Sequence, residues 1–140
     1  MPSHEDHVEQ ARRNLALLTL LQEQATHPEW VVAIGFYVLV HFVEAVLADH
    51  DLHSTSHGER EARFARLSRV RPDEYGWASE VIQHIQRIRT LANEARYGQR
   101  AGADSPGNIL DWSAHEGFED FQERFAIARA AFGSGVPCLG

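Results

Sequence analysis

Three polar side chains interrupt the most apolar stretch of the chain, and their spacing gathers them. Within Trp30–Ala48, Tyr37, His41 and Glu44 are separated by four and then three residues, which stacks them on one face if the segment is helical. A polar stripe inside an apolar helix must find partners. A His beside a carboxylate is one way to build a general base, because the carboxylate fixes the ring's tautomer and raises its basicity. The same two side chains can also satisfy each other, or cap a neighbouring helix, without any chemistry. A second polar cluster follows at once: His50, Asp51, His53, His57, Glu59 and Arg60. His41, His53, His57 and Glu44 are a donor set that suits zinc or another transition metal, although an H-E-x-x-H signature and paired cysteines are both absent. Nucleophilic catalysis has less support, since the sole cysteine, Cys138, lies in a Gly-rich tail and no serine sits in a Gly-x-Ser-x-Gly elbow. There is no Gly-rich phosphate loop, and no cofactor is implied.

The basic residues are all arginine, 13 of them with no lysine. Residues 57–100 hold 9 of them against 6 acids, whereas 1–56 and 101–140 are acidic. Arginine favours bidentate contact with phosphate or carboxylate, so this island could hold a nucleotide, RNA or an acidic partner surface. Against that stands a solvated face on which Arg60, Arg63, Arg66, Arg69 and Arg71 pair with Glu59, Glu61, Asp73 and Glu74. The net charge of −7 makes the chain a poor general nucleic-acid binder.

The elements that position these residues read as helices. Val8, Ala11, Leu15 and Leu18 recur at helical steps and predict a first helix from about Glu5 to Gln24. Pro28 suits an early position of a second, which continues to about His50. Ser56 can cap a third over 57–70, with Glu59 at the third helical position in a capping-box pattern. Arg71-Pro72-Asp73 breaks the pattern, and Asp73 is placed to cap a fourth helix that carries Val81, Ile85, Ile88, Ala92 and Ala95 on one face as far as Tyr97, before Gly98. Ala101–Asn108 reads as a loop. A last helix, from about Ser113 to Phe132, has Phe118, Phe121, Phe125, Ala128 and Phe132 in register. No segment alternates like a strand. The expected fold is an all-α, up-and-down bundle of about five helices with the second as its spine. It forms one domain over 1–132, with 133–140 a flexible tail.

The chain's 140 residues and 44% hydrophobic content suit one globular domain with a sizeable core. A single cysteine gives no sign of a disulfide framework, and the acidic, His-rich N-terminus does not resemble a signal peptide. A cytoplasmic protein is expected. Trp30–Ala48 is nearly long enough to cross a bilayer, but a His and a Glu near its middle would be costly there, so a buried central helix is expected.

Three stretches carry a family resemblance: Phe36-Tyr-Val-Leu-Val-His-Phe-Val-Glu-Ala-Val-Leu-Ala48, Leu52-His-Ser-Thr-Ser-His-Gly-Glu-Arg60 and Ile85-Gln-Arg-Ile-Arg-Thr-Leu-Ala-Asn-Glu-Ala-Arg-Tyr-Gly98. Together they resemble the HEPN superfamily of prokaryotic helical domains, over roughly residues 8–132. The resemblance implies a dimerising bundle. It also implies either a ribonuclease, often a toxin beside an MNT-type nucleotidyltransferase antitoxin or part of a defence system, or a non-catalytic binding module. The family's catalytic signature is an Arg followed after four to six residues by a His. Arg89 matches the Arg and Tyr97-Gly98 matches the Tyr-Gly that often follows the His, but Arg96 occupies the His position. Arginine is a poor general base, so the departure weakens the expectation of RNA cleavage.

Two readings follow. In one, the chain dimerises and binds RNA, a nucleotide or a partner protein through Arg60, Arg89 and Arg96, with Tyr37 and Tyr97 alongside. In the other, it is a ribonuclease whose base is His41 or His57, oriented by Glu44, with Arg60 and Arg96 stabilising the anionic transition state. A homodimer is expected in both, because the central helix and the Phe stripe offer more apolar face than a small bundle needs.

Overall fold

The computed structural model describes residues 1–24, 27–97, 116–136 and 139. Among them the chain is an all-α bundle of six helices: α1 (His4–Gln24), α2 (Pro28–Ala48), α3 (His57–Val70), α4 (Pro72–Tyr75), α5 (Ala78–Tyr97) and α6 (Glu116–Gly135). The count exceeds the expected five because the break at Pro72 is itself a helical turn. Pro72 opens it at the position where a missing N–H costs nothing, and the Gly76 N–H closes it on the Pro72 carbonyl at 2.9 Å. Tyr75 then anchors that turn, its hydroxyl 2.9 Å from His50 Nε2. The expected Ala101–Asn108 loop, the start of the last helix at Ser113, and Gly98 and Cys138 lie outside the described residues.

α2 is the spine. Of its 21 residues, 14 are buried, and it packs against α1, α3, α5 and α6. It is long and apolar enough to cross a membrane, and most of that surface is covered by the other helices. Gly35 permits the closest approach to α6, since a Cβ there would collide with the Phe121 ring. The Phe stripe is a core face: Phe121, Phe125, Ala128 and Phe132 are buried. Phe132 stacks on Phe64 of α3, with centroids 5.8 Å apart, and meets Phe42 of α2 at 5.3 Å. The tail expected over 133–140 is corrected in part: α6 continues to Gly135, and Leu139 is 5% exposed, in the core. An apolar residue seven positions past the Phe stripe can still reach core surface, and Leu139 does.

α2 ends two residues before the expected His50, in a Schellman-type closure. Leu52 N–H bonds the Leu47 carbonyl at 2.9 Å and Asp51 N–H bonds that of Ala48 at 3.2 Å, with Asp51 left-handed at φ 54°. That reversal sends 52–56 back toward the polar stripe. Ser56 then caps α3, its hydroxyl accepting from Glu59 N–H at 3.1 Å. The reciprocal half of the capping box is replaced: the Glu59 carboxylate accepts from the Thr55 hydroxyl and pairs with Arg63.

Candidate functional site

The stripe on α2 faces the seam between α1 and α3, and its members part company there. Glu44 is the one buried charged residue among those described. It does not hold His41: its Oε1 accepts from the Ser54 hydroxyl and from Arg60 Nε at 2.6 Å. A buried carboxylate needs such partners, because stripping its water without them would cost several kcal/mol. His41 turns instead to α1, its Nδ1 3.1 Å from that of His7. Tyr37 is 37% exposed, its ring against Phe36.

Arg60 joins the stripe to the arginine island. Its Nη1 lies 2.7 Å from His57 Nδ1, and the His57 ring rests on Phe36 with centroids 5.3 Å apart. A guanidinium can only donate, so His57 Nδ1 must accept, and the neutral ring carries its proton on Nε2. Burial pushes the His57 pKa below its ordinary value, Arg60, Arg89 and Arg96 push it further down, and Glu61 partly opposes them. The ring is therefore held neutral, with an N–H pointing away from Arg60. As a base this tautomer is wrongly protonated; as a donor to an anion it is ready.

Of the other arginines, Arg89 pairs with Glu61 at 3.1 Å. Arg96 bonds the Asn93 side chain at 2.9 Å and lies over the Tyr97 ring, 5.4 Å from its centroid. No carboxylate partner of Arg96 occurs among the described residues. Tyr97 itself is 63% exposed. The solvated-face pairing occurs only in part: Arg63 pairs with Glu59 and Arg71 with Glu74, while Arg66 and Arg69 are exposed and form no ion pair among the described residues.

The candidate residues thus form two groups bridged by the Glu44–Arg60 pair. One is His7 with His41; the other is His57 with Arg60, Arg89 and Arg96. Burial lowers the pKa of both His7 and His41. Among the described residues no hydrogen bond joins His41 to His57: His41 meets His7 and His57 meets Arg60. His41, His53, His57 and Glu44 are not gathered as ligands either: among the described residues no three His, Cys, Asp or Glu side chains are placed to hold one metal ion.

Sequence reasoning missed His7 and Ser54. His7 shares a helical face with His4 and Ala11, which was a signal that α1 presents imidazole inward, but nothing local said to what. Ser54 carried no signal beyond its place in a turn. Compared with protein-family models, with curated proteins and with solved structures, the chain matches none.

Proposed function

We propose that the chain is a HEPN-like helical module that binds a phosphate-bearing ligand, RNA or a nucleotide, through the face built from His57, Arg60, Arg89 and Arg96, and that it works as a homodimer beside a partner such as a nucleotidyltransferase-type antitoxin. The observation that carries this reading is the Arg60–His57 bond, which makes His57 a fixed N–H donor inside an arginine cluster. Arg96, which has no carboxylate partner among the described residues, supplies a cation able to take a phosphate, and the exposed rings of Tyr37 and Tyr97 offer stacking surfaces for a base. Dimerisation is supported by exposed apolar residues, Leu17 and Leu20 on α1 and Ile127 on α6. A groove of about 550 Å³ also lies between α1 and α6, lined by Leu18, Phe121 and Phe125.

The test is fluorescence anisotropy with labelled single-stranded RNA and with a labelled nucleoside triphosphate, across a salt series. Binding should weaken with salt as phosphate contacts are screened, and Arg89→Ala with Arg96→Ala should remove most of it. Salt-independent binding, or none by the wild type, would overturn the reading.

A ribonuclease is the second reading: burial keeps both His41 and His57 neutral, the state a base needs, and His57 would serve as one only with its proton moved from Nε2 to Nδ1. RNA cleavage by the wild type that is lost in His41→Ala or His57→Ala would put it first.

A further inference from the structure

We propose that His7 and His41 form a proton-operated latch between α1 and α2, which stays closed with one added proton and opens with a second. His7 lies on the first turns of α1 and His41 near the middle of α2, both half-buried. Their Nδ1 atoms are 3.1 Å apart and their centroids 5.3 Å apart. At that distance one Nδ1 carries a hydrogen and the other accepts it. The neutral pair is therefore an Nδ1–H···Nδ1 bond in which the donating ring has a bare Nε2.

A first proton from solvent goes to that Nε2 and leaves the bond in place. A second can go only to the accepting Nδ1. Two N–H groups and two positive charges would then face each other, and the bond is lost. The surroundings set where this happens. Asp6 on α1 and Glu44 on α2 favour a charged His7, while burial, His53 in the connection before α3 and Arg60 on α3 oppose it. For His41, burial, His7 and Arg60 oppose charge, and Glu44 favours it. The opposing influences prevail at both rings, so opening belongs to acid rather than neutral solution.

The moving part is the start of α1. Besides His7, it is tied to the end of α2 by His4, whose Nδ1 lies 2.9 Å from the Ala45 carbonyl and 3.0 Å from Asp49. The weakening comes from His7 and His41. Farther along, Ala11 and Leu18 stay in the core, which confines opening to the first turns.

The experiment is performed on the full chain labelled with 15N at histidine, titrated from pH 8 to pH 4. Imidazole resonances follow the two rings while amide exchange, corrected for its intrinsic pH dependence, follows α1. The expected result is a first protonation that leaves the Nδ1 bond intact. A second, coinciding with a tenfold or greater loss of protection over residues 7–12, should vanish in His7→Asn and in His41→Asn. Protection that is unchanged through the second step, or lost equally in His41→Asn, overturns the latch. Should an Asn variant fail to fold, the coincidence of ring titration and α1 opening in the wild type decides alone. The outcome does not depend on whether the arginine face binds RNA.

Discussion

At the scale of single residues, the Glu44–Arg60 pair is the joint on which the site depends. With side chains only 9% and 15% exposed, neither charge is well served by water alone. Arg60→Ala strands the carboxylate and should lower the unfolding free energy by about 3–5 kcal/mol. Glu44→Gln keeps an acceptor for Ser54 and should cost less. Urea denaturation of both variants checks the order, and equal costs would mean that the charge pairing contributes little. How much of this was legible follows from sequence distance. Tyr37, His41 and Glu44 on one face could be read directly, because helical spacing is local. Their partners could not. His7 lies 34 residues from His41, and Arg60 reaches Glu44 only because Asp51 turns the chain back in a left-handed conformation. The chemistry is decided by that tertiary step: a stripe that looked like a His–Glu dyad is divided between two neighbouring helices.

At the scale of elements, the cap of α3 and the closure of α2 hold 52–60 in the shape that delivers Ser54, His57 and Arg60. Ser56→Ala removes the acceptor for Glu59 N–H and should destabilise the fold by about 1 kcal/mol. Thermal unfolding reads the loss, and an unchanged midpoint would show that water replaces the cap. Gly35→Ala should cost more, because the new methyl meets the Phe121 ring of a neighbouring helix and must displace it; overpacking of this kind typically costs about 1–3 kcal/mol. The bodies of these helices were visible in the sequence as apolar periodicity, and the Ser56 start of α3 was visible as cap chemistry. Where the sequence reading departed, the reasons were physical. Pro72 can begin a helical turn as readily as end one, and an Asp can take the left-handed position that normally signals itself by a Gly.

At the scale of the whole molecule, three histidines titrate in the same direction. His7, His41 and His57 are all pushed below the ordinary 6.5, chiefly by burial, so the folded state favours their neutral forms. The unfolded chain then binds more protons in mildly acid solution. Their contribution to stability is complete above about pH 6.5 and is lost as pH falls from there toward their folded values. Asp120, which burial pushes up but which hydrogen bonds to and the charges of Arg124 and Arg87 together hold low, withdraws its contribution only in more acid solution, below the ordinary carboxylate value. Denaturation midpoints should therefore decline between pH 7 and 5, and a flat profile there would contradict the placement of these rings. The same rings bear on function, because an arginine face that only binds requires His57 to be a donor and one that cuts through His57 requires it to be a base. The most direct measurement is the 15N spectrum of the His57 ring at neutral pH, with and without single-stranded RNA. The account predicts a proton on Nε2, none on Nδ1, and a shift of the Nε2–H signal when RNA is added. A proton on Nδ1, with Nε2 bare and facing the RNA, would contradict it.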